Sequence, residues 1–222
     1  MKATILPIAV STLLLATASC SVVDPNQDYG YDSSESIAVV TVKRSPADTV
    51  YLQLTDDITV YPLEEIKYTG RKRVLCELSI IRERTGSFDY TAHVHWIEPI
   101  EEGVVTSENP ASVSEGIDIL NNWMTGVEDG YLTLRYAAWW GVATNILHKF
   151  TIVTGQDPED PYSLILHHDA SGDRKDTFSE ALICFDINSL PDTDGQYVPL
   201  TLKWTRPDGT LATHTFEFKT RK

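Results

Sequence analysis

Basic residues are scarce in this 222-residue chain: 18 Lys and Arg stand against 32 Asp and Glu, a formal charge of −14. A body of that sign repels phosphate backbones and anionic headgroups, which argues against nucleic-acid binding and against electrostatic docking on a membrane. No apolar run is long enough for a membrane-spanning helix. No serine sits in a Gly-x-Ser-x-Gly elbow, and no cysteine is placed to meet a histidine, so the usual signatures of nucleophilic catalysis are missing. Neither an internal repeat nor a coiled-coil heptad is present. Cysteine is limited to three residues, Cys20, Cys76 and Cys184. The last two fall in apolar alternating segments. They read as separately buried small side chains, with pairing in an oxidising compartment as the alternative.

The first twenty residues carry the clearest signal. Lys2 is followed by an apolar run from Ile5 to Ala16 and then by Ala18-Ser19-Cys20. That is a secretory signal peptide over residues 1–19. A cysteine directly after two small residues is a lipobox pattern, with Thr17 where leucine is usual. Cys20 is therefore expected to be lipidated and to become the mature N-terminus of 203 residues (222 less 19); the other reading is an ordinary signal peptide cut after Ser19. Membrane attachment would come from lipid, each buried methylene contributing ~0.8 kcal/mol. The location expected is the cell envelope, at the outer membrane. Residues 20–35 combine Pro25, Gly30, several serines and four acids without a base, and read as a flexible tether.

From Ser36 onward the pattern is β. Ile37 to Val42, Val50 to Leu54 and Ile58 to Pro62 are strand-like, the last two joined through Asp56-Asp57. Val74, Cys76, Leu78 and Ile80 alternate on one face, as do Phe88, Tyr90, Ala92, Val94 and Trp96. Five strands in this length predict a small barrel over residues 36–108. A boundary within Glu98–Glu115 follows, where Pro99 to Pro110 breaks the pattern. Ser114 to Trp123, with Ile117, Leu120 and Trp123 on one face, predicts a short helix. Six strands, Tyr131 to Trp140, Ile146 to Thr154, Tyr162 to His168, Ala181 to Ile187, Tyr197 to Arg206 and Leu211 to Lys219, separated by turn chemistry such as Pro207-Asp208-Gly209, predict an antiparallel β-sandwich over residues 109–222. The fold class expected is all-β.

Candidate chemistry is sparse. His93 and His95 share one strand face, a geometry suited to two zinc ligands, but no third ligand is nominated. Solvent-facing polar residues explain the pair more simply, so no metal and no cofactor are expected. Asp169-Ala170-Ser171-Gly172-Asp173 reads as a polar turn rather than a calcium loop. In Tyr131 to Trp140, Leu132, Leu134, Tyr136 and Trp140 fall inward, and Arg135 and Trp139 fall on the more polar face. An exposed aromatic at a strand end marks a binding site, so Trp139 with Arg135 is the candidate; coverage of Trp139 by the helix or the first domain is the alternative.

Gly130-Tyr131-Leu132-Thr133-Leu134-Arg135-Tyr136, His148, Leu166-His167-His168-Asp169-Ala170-Ser171-Gly172-Asp173, Phe185-Asp186-Ile187-Asn188-Ser189-Leu190 and the terminal hairpin together resemble the NigD-like lipoproteins. His167 stands where that pattern usually has arginine. The resemblance implies an OB-like N-terminal domain, an immunoglobulin-like C-terminal sandwich and a lipoprotein signal. It brings no catalytic residues, and the family's operon association suggests bacteriocin immunity. The chain is thus expected to be a non-enzymatic envelope protein binding a protein or peptide, with surface glycan binding as the alternative and an envelope hydrolase the weakest reading.

Overall fold

Alternating β-branched and aromatic residues make every secondary element of the computed structural model a strand among the described residues, which are 36–66, 72–81, 85–111, 114–142 and 145–221. The signal segment 1–19, Cys20 and the tether 20–35 lie outside them. The first five strands are β1 (Ser36–Arg44), β2 (Val50–Gln53), β3 (Thr59–Pro62), β4 (Arg73–Ile81) and β5 (Tyr90–Pro99). They close a barrel in the order β1-β2-β3-β5-β4, the OB-like arrangement expected. One long strand makes closure possible: Thr41–Arg44 of β1 pair with β2, while Ser36–Thr41 pair with β4. Val40, Leu52, Val60, Val74, Cys76, Leu78 and Ala92 fill the interior. Burial pushes the Cys76 thiol up to about 12, so it behaves as a small apolar side chain.

A bulge corrects the face assignment in β5. Val94 opposes Leu78 and Trp96 opposes the adjacent Glu77, leaving His95 as the extra residue. Past that point the alternation slips by one position, so Ile97 rather than Trp96 packs on the barrel core.

The remaining strands form a sandwich. One sheet holds β6 (Glu101–Glu102), β8 (Asp118–Ile119), β9 (Gly126–Glu128), β10 (Tyr131–Trp140) and β13 (Thr177–Asp186). The other holds β7 (Val104–Thr106), β11 (Lys149–Val153), β12 (Ser163–Asp169), β14 (Val198–Thr205) and β15 (Leu211–Phe218). Leu132, Leu134, Phe150, Ile152, Leu164, Leu166, Phe185 and Leu202 meet between the sheets. Most pairings are antiparallel, but β6–β13, β7–β11 and β12–β14 are parallel. Barrel strands stop at Pro99, and Glu101–Glu102 and Val104–Thr106, within the 36–108 span read as barrel, pair with sandwich strands. The chain switches sheets at Gly103, where a Cβ would sit 2.2 Å from the Phe185 ring; only glycine passes.

The predicted helix at Ser114 to Trp123 does not form. Backbone groups there bond across to other segments: Glu115 N–H to His168 O at 2.7 Å and Ile117 N–H to Thr205 O at 3.0 Å. Asp118–Ile119 then pair with β10. A Cβ at Gly116 would meet Arg206 O at 2.4 Å, so the segment is pressed flat onto the sandwich. A helix this short has little stability of its own, and tertiary pairing wins. Ile117 alone of the predicted face is buried, and Trp123 is 60% exposed.

Candidate functional site

The outer face of β10 divides into two parts. Its first half, Tyr131 and Thr133, faces the barrel and is buried, despite reading as the polar side of the strand. Tyr131, Ile100 and Cys184 make a separate cluster with Val39, Leu75 and Leu182. Arg73, 3% exposed, crosses this junction: its Nη1 donates to Thr41 Oγ1 at 2.9 Å and its Nε to Thr133 Oγ1 at 3.3 Å. Beside it, Asp129 Oδ1 takes Lys43 Nζ and lies 3.5 Å from Arg221 Nε, while Asp56 Oδ1 accepts the Asp129 N–H and Glu128 Oε2 the Asp56 N–H. Asp129 holds a left-handed φ of 53° and Gly130 one of 76°. A Cβ on Gly130 would lie 2.2 Å from Asn188 Oδ1, which explains a glycine there.

The second half of the face is open. Cross-strand rows Arg135–Leu182, Ala137–Glu180 and Trp139–Phe178 run outward from the junction. Arg135 pairs with Glu180, one row along. Trp139 is 38% and Phe178 43% exposed, and their rings lie 5.3 Å apart at 55°. Arg135, Glu180 and Leu182 also floor a cleft of about 500 Å³ against Met124 and the Glu98–Glu101 passage out of the barrel. The predicted residues Arg135 and Trp139 thus share one face, and Trp140 turns inward onto the core.

Stacking fixes that inward position. The Trp140 ring lies 4.0 Å from His148 at an interplanar angle of 11°. We expect Trp140→Ala to cost about 3 kcal/mol in chemical denaturation and Trp139→Ala about 1 kcal/mol, because only the first leaves a hole against packed rings. A larger loss from Trp139→Ala would reverse the facing.

The two histidines of the β5 face have separate partners. His93 Nδ1 meets Glu64 Oε1 at 2.7 Å and His95 Nε2 meets Ser79 Oγ at 2.8 Å, so the two rings are tied to different strands or loops. Partial burial acts to raise the Glu64 carboxyl, but hydrogen bonds from His93 and the Val94 N–H outweigh it and hold the carboxyl below its ordinary value. Among the described residues no group of three or more His, Cys, Asp and Glu is placed to hold a metal ion. A different set converges at the far end of the sandwich. His148 Nε2 lies 3.2 Å from Asp173 Oδ2, and His148 Nδ1 lies 3.0 Å from His168 Nε2. Side chains of His148 and Asp173 are 1% and 2% exposed, so both groups are closed off from solvent. The Asp169–Asp173 segment is a polar turn, with Ser171 N–H donating to Asp169 Oδ1 at 2.7 Å.

Residues 101–218 match the profile of the NigD-like C-terminal beta sandwich domain. The chain belongs to the NigD-like family. Solved structures agree in fold. One is a protein proposed to be toxin related from Parabacteroides distasonis, 24% identical, with a TM-score of 0.67 over 84% of this chain and 94% of that one. A NigD-like immunity protein from Bacteroides caccae is 18% identical, with a TM-score of 0.58 over 87% of this chain and all of that one (100%). A protein from Bacteroides fragilis proposed to be a lipoprotein is 12% identical, with a TM-score of 0.59 over 85% and 100%. At these identities the likeness is one of fold. No curated protein matches the chain. Of the residues that carry the resemblance, Gly130 lies against Asn188, and His148 meets His168 and Asp173.

Sequence reading passed over Phe178 and Glu180, because it began their strand at Ala181. The alternation Phe178, Glu180, Leu182 was the available signal. Met124 follows the end of the predicted helix, and no pattern in the sequence marks it.

Proposed function

We propose that this NigD-like chain is a lipid-anchored envelope protein that acts by binding a protein partner, with bacteriocin immunity as the form that binding takes, rather than by catalysis. The observation that carries the reading is the strip Arg135, Glu180, Trp139 and Phe178, open on one face of the sandwich and continuous with the junction cleft. Arginine, tryptophan, phenylalanine and a flanking methionine are the residues that dominate protein interfaces. The Trp139 ring leans on Phe178 at 55° instead of offering a free flat platform, which favours a protein over a stacked sugar. The Bacteroides caccae relative is named an immunity protein and the Bacteroides fragilis one is proposed as a lipoprotein, in keeping with Cys20 behind Ala18-Ser19. The Asp173–His148–His168 set is buried at His148 and Asp173 and includes no hydroxyl or thiol.

Two variants of the full chain test the reading. Cys20→Ala is expected to leave the membrane fraction and lose labelled palmitate; unchanged labelling would remove the anchor. The double variant Trp139→Ala with Phe178→Ala is expected to stay folded and anchored, yet to bind the polypeptides encoded beside its gene at least about tenfold more weakly. Undiminished binding would take the interface off this face. Loss of retention on cell-surface polysaccharide, with protein binding intact, would turn the assignment to glycan.

A further inference from the structure

The strip just described ends on an open sheet edge. β13 pairs along its whole length with β10, but on its other side only Ile183 and Cys184 have strand partners, Glu101 and Glu102 of β6. From Thr177 to Leu182 no strand covers that edge among the described residues. The direction of the free groups follows from the ladder. Gly103 N–H donates to Cys184 O at 2.9 Å, so the Cys184 backbone points to the outer edge. In an antiparallel strand alternate residues point the same way, which turns the N–H and C=O of Glu180 and Phe178 outward too. These are the residues whose side chains lie on the open face.

Exposed edges are normally blunted by lysine, proline or a bulge. Thr177-Phe178-Ser179-Glu180-Ala181-Leu182 has none of these in the edge itself, and its single charge is Glu180. The cleft beside it is acidic: Glu98, Glu101 and Glu180 line it against one base, Arg135. A second copy of the chain fits poorly, because pairing two such edges antiparallel around Glu180 brings like charges together.

We propose, resting on the binding face assigned above, that the partner enters as an extended segment that adds a strand to the β13 edge at Phe178 and Glu180. On the open face its side chains stand two residues apart, an apolar one lying on Trp139 and Phe178 and basic ones reaching Glu180 and, beyond it, Glu98 and Glu101. Main-chain bonds supply attachment and the alternate side chains supply selection. The acidic rim selects against acidic segments.

The test uses the full lipidated chain in neutral detergent and four end-blocked hexapeptides: a valine–lysine peptide with threonine at the odd positions and valine, lysine, lysine at the even ones, so that these share one face; its counterpart with glutamate for lysine; and two forms of the valine–lysine peptide with alternate backbone nitrogens methylated, one in each phase. Calorimetry is expected to show the valine–lysine peptide binding at least about tenfold more tightly than the glutamate one, with one methylated form losing the same amount and the other, whose methyl groups face away from the edge, keeping its binding. Amide exchange at Phe178 and Glu180 should slow with the two lysine peptides that bind and not with the others. Phe178→Pro removes an outward N–H and leaves the β10 ladder intact, a change an edge position tolerates; it should abolish binding, while Phe178→Ala keeps the slowed exchange at Glu180. Equal binding of the methylated peptides, no binding of any peptide, or a self-associated dimer that buries the edge would overturn the proposal. If Trp139→Ala weakens the natural partner but Phe178→Pro does not, the face stands and strand addition falls. If neither variant has an effect, both fall.

Discussion

Replacing Arg73 with alanine is expected to destabilise the folded chain by about 3–5 kcal/mol, the range for removing one member of a buried charged group. Burial pulls the guanidinium below its ordinary value, and the carboxylates of Glu128 and Asp129 pull it back up. Without it, the hydroxyls of Thr41 and Thr133 lose their donor, and two acids lose a nearby cation. Arg73→Met restores the stem that packs at the junction but no charge, so it should cost less than alanine and more than zero. Its loss should also depend on pH. Burial first, then Asp56, already hold the Glu128 carboxyl above its ordinary value, against bonding from Asp56 N–H and attraction from Arg73 and Arg221. Removing Arg73 raises it further. A folded-state acid with a raised pKa binds protons that the unfolded chain releases, so the variant loses stability as pH rises through that range. Urea denaturation of Arg73→Met and wild type at pH 5 and pH 8 checks this: the gap should be wider at pH 8. An equal gap would mean that Arg73 holds the junction by packing alone.

How much of this was legible in the sequence depended on how local the cause was. The barrel strands were, because Val74, Cys76 and Leu78 alternate within one strand and the turn residues lie between neighbours. So was the inward set Leu132, Leu134 and Tyr136. The short parallel strands Glu101–Glu102 and Val104–Thr106 were not, since two or three residues have no period, and their partners lie far along the chain at β13 and β11. Ile117, Leu120 and Trp123 have helical spacing, but hydrogen bonds to His168 and Thr205 decided the backbone. Spacing reports what a segment prefers alone, and these bonds come from elsewhere.

The candidate site was legible by halves for the same reason. Alternation put Arg135 and Trp139 on one face, but it could not say that the barrel covers Tyr131 and Thr133 on that same face and stops short of Trp139. That division depends on Arg73 and Ile100 meeting β10 and β13 across the junction. The open sheet edge at Phe178 was equally hidden, because an edge is defined by what fails to pair with it.

Acidification should weaken the protein through His168, by roughly 2–3 kcal/mol between pH 7 and pH 4.5, taking 1.36 kcal/mol per pKa unit. The hydrogen bonds fix where the protons sit. Asp173 Oδ2 accepts the Gly141 N–H at 2.8 Å, and as a carboxylate it accepts from His148 Nε2 as well. His148 then offers the lone pair of Nδ1, and His168 Nε2 donates to it across 3.0 Å. His168 Nδ1 is left as a buried acceptor without a partner. Protonating it would place a charge on a buried ring stacked 4.7 Å from Phe150. Burial is the largest cause, the neighbouring His148 adds to it and His167 does so less; the Glu115 backbone bond and Asp169 oppose them, and the result is a value lowered to about 4. The unfolded chain takes up this proton near pH 6.5 and the folded one only near pH 4, so the contribution is complete above pH 6.5 and falls away as pH drops toward 4. His168→Phe keeps a flat ring and removes the titration. Urea denaturation of wild type and His168→Phe at pH 7 and pH 4.5 should show the wild type losing the larger share of its stability. Parallel losses in the two proteins would mean that acid acts elsewhere, on the carboxylates of the junction, and that the histidine chain is silent over this range.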